Sequence, residues 1–140
     1  MSPATPPPPL FVLDANILLR FITKTPLDQA LRARDLLARG QKGEVRLVLE
    51  ALTLADVVYV LKKQYQMDYA VIEATLLQLF ASGALEVLEW QRCESALALQ
   101  VQHGVDFEDA YLAVVAQELG GKVASFDLDF KKLGVGWLKP

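Results

Sequence analysis

Short apolar runs and longer stretches of helical periodicity alternate along this chain. Leu10-Phe11-Val12-Leu13 is apolar throughout and reads as a buried strand. Val45–Leu49, the alternating Leu85-Glu86-Val87-Leu88-Glu89 and Lys122–Phe126 read as three more, and Gly134–Leu138 as a short last strand at the sheet edge. Helices are predicted between them. Ile17–Ile22 follows the first strand, and Pro26 opens a helix that stops near Gly40. Thr53 is placed to cap a helix over 54–63, where Leu54, Val57, Val58 and Leu61 form one apolar stripe. Asp68 is placed to cap a helix over 69–81 that ends before Gly83, and 93–102 is helical again. Asp106 stands at the N-cap of an alanine-rich helix that ends before Gly120-Gly121. This alternation predicts an α/β fold, with a mostly parallel sheet covered by helices.

Acids punctuate the pattern. Asp14 and Asp127 each close a predicted strand, and ligands of open α/β sheets sit at the carboxyl ends of strands. Asp106 and Asp109 are three apart and share a face of the last long helix. Asp14 and Asn16 also suit helix capping, and Asp127 suits the cap of a single helical turn over 128–133. Asp56 lies among apolar residues, where a carboxylate needs a partner or a metal unless it sits early enough to favour the helix dipole. Carboxylates converging on one point repel unless they are protonated or share a cation. All-oxygen sites of this kind suit magnesium and manganese.

Composition narrows the possibilities. The 140 residues suffice for one domain with a substantial core. The 53% hydrophobic content fits either a fully covered parallel sheet or apolar surface left for a dimer or partner. A net charge of -3 removes any global basic signal, so a nucleic-acid substrate would need local cations and metal. The single Cys93 rules out an internal disulfide framework and fits a reducing cytoplasm. The opening residues lack a basic start and an apolar core of the signal-peptide kind, and no apolar run approaches the ~20 residues a membrane helix needs. Pro6–Pro9 reads as a stiff, extended lead-in. Glycine-rich phosphate loops and Cys/His zinc clusters are absent, and His103 reads as a cation at a helix end.

Four segments carry a resemblance. Val12-Leu13-Asp14-Ala15-Asn16-Ile17-Leu18-Leu19 resembles the first motif of PIN-domain nucleases, and Leu52-Thr53-Leu54-Ala55-Asp56-Val57-Val58-Tyr59-Val60-Leu61 the second. Asp106-Phe107-Glu108-Asp109-Ala110-Tyr111-Leu112-Ala113 resembles the third, and Ser125-Phe126-Asp127-Leu128-Asp129-Phe130 with Leu133 the fourth. The compact length is similar to that of VapC toxins of bacterial toxin–antitoxin pairs.

The resemblance implies a three-layer fold, with a mostly parallel central sheet of four to five strands flanked by helices. It would form a single domain over 10–140 behind a proline-rich tail at 1–9. It implies a magnesium-dependent endoribonuclease, with manganese as a substitute, leaving a 5′-phosphate and a 3′-hydroxyl. Asp14, Asp56, Asp109 and Asp127 would be catalytic, with Asp14 and Asp109 direct metal ligands and Asp127 completing the cluster. Asp56 stands where the family usually has glutamate and would reach the metal through a water or make a weaker site. Asn16, Asp106, Ser125 and Asp129 would fix the carboxylates by hydrogen bonds, and Glu50 and Glu108 stay outside the site. Arg20, Arg46, Lys62 and Lys131 are equivalent candidates for guiding RNA. A small antitoxin and a homodimer are the expected partners, in the cytoplasm and away from membranes. The shortened Asp56 side chain also keeps open a catalytically degenerate PIN-like module that binds RNA or protein. A receiver-like signalling domain fits less well, because Lys122 begins its strand, and an Asp-x-Asp phosphatase would rest on Asp127 and Asp129 alone.

Overall fold

A computed structural model describes residues 5–140. Residues 1–4 of the proline-rich tail lie outside the described residues, and residues 5–9 are exposed without regular secondary structure. The strands are β1 (Leu10–Val12), β2 (Arg46–Leu49), β3 (Glu86–Val87), β4 (Val123–Ala124) and β5 (Trp137–Leu138). The helices are α1 (Ala15–Thr23), α2 (Leu27–Gln41), α3 (Ala51–Lys63), α4 (Tyr69–Ala81), α5 (Trp90–His103) and α6 (Phe107–Leu119), with a 3₁₀ helix at Leu128–Leu133. The expected α/β fold is therefore present, and every strand pairing is parallel. The sheet differs from the expected single one: three strands run in the order β1-β2-β3, and β4-β5 form a separate pair. The chain clusters into two compact units, one of residues up to Leu54 with Leu76–Leu88, the other of Ala55–Thr75 with Glu89–Pro140.

In the first unit, β2 is the central strand, with Leu47, Val48 and Leu49 buried. Its register sets Phe11 opposite Leu47 and Val48 opposite Glu86. Arg46 makes two 2.9 Å hydrogen bonds to the Glu86 carboxylate, joining neighbouring strands on the exposed side. The α1 helix buries Leu18 and Leu19, and α2 buries Ala30, Ala33 and Leu37. Asp14 caps α1 by accepting from the Asn16 N–H at 2.8 Å, so the capping role is realised. The strand β1 departs from expectation. Leu10, Phe11 and Val12 are exposed, and only Leu13 is buried. Among the described residues β1 pairs with β2 alone, which leaves it an edge strand.

In the second unit, α5 and α6 pack through Cys93, Ala96, Leu97, Ala110 and Ala113, all buried. Small residues on α6 permit this close approach, and Arg92 grips the Glu118 carboxylate with hydrogen bonds of 2.8 and 3.0 Å. The two helices meet at a tight turn. Gly104 takes the left-handed conformation, with φ at 68°, where a side chain would be strained. The fully buried Gln100 then donates to the Val105 carbonyl at 3.2 Å, tying down the segment that leads into α6. Phe130 and Leu133 anchor the 3₁₀ helix. Several boundaries move from their expected places. The α3 helix begins at Ala51, so Thr53 lies inside it, and α5 begins at Trp90.

Gly40, in the first unit, has a steric role its sequence context concealed. A Cβ there would collide with the Ala84 carbonyl oxygen and lie 2.9 Å from Leu47 Cδ1. Gly40→Ala should therefore destabilise the protein by about 1–3 kcal/mol, although alanine is the better helix former. A urea midpoint equal to or above that of the parent would show that the contact yields.

Candidate metal centre

Two local structures in the second unit bring the acids together. The first is the start of α6. Asp106 holds the N-cap position with extended backbone, and Glu108 and Asp109 fall in the first turn, where an acid suits the helix dipole. The Asp106 carboxylate makes no capping bond. It accepts instead from the Tyr69 hydroxyl at 3.4 Å. The second is the turn after β4. The Trp137 indole N–H donates to the Ser125 carbonyl at 3.0 Å, and the Asp127 N–H donates to Ser125 Oγ at 3.0 Å. Asp127 then caps the 3₁₀ helix, accepting from the Asp129 N–H at 2.9 Å. Each of these bonds uses a polar group the turn would otherwise leave open.

The result is a set of three carboxylates, from Asp109, Asp127 and Asp129, that can each offer an oxygen within 4.8 Å of the others. Asp109 and Asp129 are partly buried and Asp127 is exposed. The Asp109 carboxyl is pushed up to about 6, first by burial and then by the charges of Asp127, Asp106, Asp129 and Glu108. Among the described residues, the cation in an ion pair with the cluster is Lys132, whose Nζ lies 3.6 Å from Asp129 Oδ1 on the exposed side. Three carboxylate oxygens in a partly buried site, with one acid pushed towards protonation by burial and then by its neighbours, fit a divalent hard cation. Such an ion would relieve the repulsion that raises Asp109. The donor set therefore suits magnesium or manganese in kind.

The other residues singled out by sequence are distributed as follows. Asp14 and Asn16 belong to the first unit, both exposed, at the β1–α1 junction. Asp56 belongs to the second unit and is exposed, against the expectation of apolar surroundings. It lies beyond the first turn of α3, so the early-turn dipole account does not apply either. Its carboxylate is outside the three-acid set and lines a cavity with Asp106 and Glu108. Ser125 meets the Asp127 turn by accepting from backbone and indole N–H groups and not through a carboxylate, and Asp129, expected to support, is one of the three acids whose oxygens come together. Tyr69 was not anticipated, and nothing near it in the sequence marked it.

Against known protein families, the chain matches the PIN domain model over residues 11–136. It belongs to the PIN-domain family. Members of that family are typically nucleases that use divalent metal ions to act on nucleic acid. No curated protein matches the chain. Among the described residues no helix is long and apolar enough to cross a membrane.

The charge crowding has a measurable consequence in chelator. With its folded value near 6 and its ordinary value at 3.8, Asp109 binds more proton in the folded chain across that window. Stability from this group is then lost as pH rises through it. Asp109→Asn should melt roughly 2–5 °C above the parent near pH 8, with the gap closing below about pH 4. A lower melting temperature for the variant at pH 8 would mean the carboxylate is not under strain from its neighbours.

Proposed function

We propose that this protein is a magnesium-dependent endoribonuclease, with manganese able to substitute, and that it is the toxin of a toxin–antitoxin pair. The observation that carries the reading is the convergence of Asp109, Asp127 and Asp129 within 4.8 Å in a chain that belongs to the PIN-domain family. Asp109, Asp127 and Asp129 would hold the cation, each offering a carboxylate oxygen. When bound, a divalent ion supplies the Lewis acidity that activates a water and stabilises charge on the phosphate under attack. The chain's own residues have three tasks. The carboxylates fix the site, Ser125 and the Asp127 cap keep the turn from opening, and Asp106 sets the start of α6. No histidine base is needed, which agrees with His103 lying at the C-terminal end of α5. Asp56 acts at one remove, from the exposed face of α3.

The toxin reading is supported by unpartnered apolar surface. Leu52, Leu119, Phe126 and Leu128 are all more than half exposed. Such side chains suit an antitoxin helix or a second copy of the chain. The exposure of Asp56 favours a second reading, a PIN-like module that binds RNA or protein without cutting it.

Purified protein incubated with a structured RNA pool should cut it in magnesium or manganese and not in chelator, leaving 5′-phosphate ends. Asp109→Asn should lower the rate by at least about 10²-fold. Cutting that persists in the variant or in chelator would refute the assignment. Absence of both cutting and magnesium binding by calorimetry would favour the binding module.

A further inference from the structure

Beside the metal centre, within the second unit, lies a cavity of about 220 Å³. It is below the roughly 300 Å³ of pockets for drug-sized ligands, so it has room for one ring system and not for a dinucleotide cofactor. One wall is a single face of α3, on which Asp56, Tyr59, Lys62 and Lys63 follow one another over two helical turns. The opposite side is the start of α6, through Asp106 and Glu108. Tyr69 stands between them. Its hydroxyl donates to Asp106, and the Lys62 ammonium sits 4.5 Å from its ring centroid. The ring thus holds a cation at a fixed place, and the hydrogen bond to Asp106 holds the ring.

Among the described residues neither lysine has a carboxylate partner. Of the other candidates for guiding a strand, Lys131 does not line this cavity, and the two arginines are engaged by neighbouring side chains. Arg46 is occupied by Glu86 through two hydrogen bonds, and Arg20 is held by Gln29 at 2.8 Å. The cavity is divided by charge, with lysines at the C-terminal end of α3 and acids at the start of α6. A bare anion meets repulsion from the acids. A nucleotide can divide its chemistry between the two ends, with its phosphate at the lysines and the N–H donors of its base towards the carboxylates. Tyr59, 59% exposed on the same face, offers a ring for stacking.

We propose that this cavity receives one nucleotide of the RNA strand beside the cleaved bond, with Lys62, positioned by Tyr69, on its phosphate and Tyr59 against its base. The inference rests on RNA being the substrate, as proposed above. Lys62 is a substrate-positioning residue on this account.

The test uses the full chain carrying Asp109→Asn, to prevent cutting, and a fluorescein-labelled single-stranded RNA of mixed sequence. Anisotropy titrations run from 50 to 200 mM salt. Adding Lys62→Ala should weaken binding about fivefold and make the slope of log affinity against log salt shallower by about 0.7, the loss of one phosphate contact. Lys62→Arg should keep both, and Tyr69→Leu should reproduce part of the loss. Circular dichroism melts confirm folding in each variant. An unchanged slope with affinity within twofold overturns the inference, because a lysine serving only the helix end would leave the slope alone. So does absence of RNA binding by the Asp109→Asn parent. Failure of the nuclease reading is separate: it shows as no metal-dependent cutting by the unmodified chain, while a slope set by Lys62 would still stand.

Discussion

Mutual repulsion among three carboxylates is the constraint around which the second unit is built. Acids whose oxygens can approach within 4.8 Å would separate if their backbones were loose. They are held by two short, over-determined segments. Ser125, Asp127 and Asp129 are locked in sequence by hydrogen bonds at 3.0 and 2.9 Å, with Trp137 fixing the Ser125 carbonyl from β5. On the other side, the buried Gln100 ties the Val105 carbonyl just before Asp106, and Phe107 and Ala110 bury the inner face of the first turn of α6. Phe130 and Leu133 do the same for the 3₁₀ helix. Apolar burial and turn hydrogen bonds thus oppose a Coulomb term that a cation would reverse. Stability and affinity for metal are two readings of one strained arrangement.

Much of this was legible in the sequence, for identifiable reasons. Asp14 and Asp127 could be placed because each ends an apolar run and begins a helical one, and an Asp there has a local reason to be an N-cap. Gly104 and Gly120 announced the ends of α5 and α6, because both needed the left-handed conformation. The membership of Asp129 in the donor set was not legible. Asp127 is the N-cap of the 3₁₀ helix and Asp129 lies in its first turn, and their carboxylates approach because of how that turn closes, which residue types alone do not reveal.

Other expectations failed for tertiary reasons. Leu10–Val12 is as apolar as a buried strand, yet it is an edge strand paired on one side, and no local pattern distinguishes the two. The expected parallel sheet is present, as three strands plus two. Asp56 looked surrounded because its sequence neighbours are apolar. In a helix beginning at Ala51, those neighbours turn to other faces, with Leu54, Val57 and Val58 inside and Asp56 outside. Gln100 and Tyr69 carried no signal at all, since their roles depend on which carbonyl or carboxylate the fold sets before them.

A net charge of -3 sets the terms on which such a chain can meet a polyanion. Arg32, Arg34, Arg39, Arg46, Arg92 and Lys132 are all in ion pairs with acids, so much of the formal positive charge is already compensated where it stands. Long-range attraction is therefore absent, and local attraction must be assembled from few groups. The three-acid set contributes repulsion, which a divalent ion bound there would offset by neutralising two of its charges. Lys62 contributes attraction from a place fixed by an aromatic ring instead of by a carboxylate, which leaves its charge uncompensated. On the proposed reading, cation and strand would depend on each other by linkage: whatever favoured a metal among Asp109, Asp127 and Asp129 would lower the electrostatic cost of bringing phosphate beside them, and bound phosphate would favour the metal by the same factor.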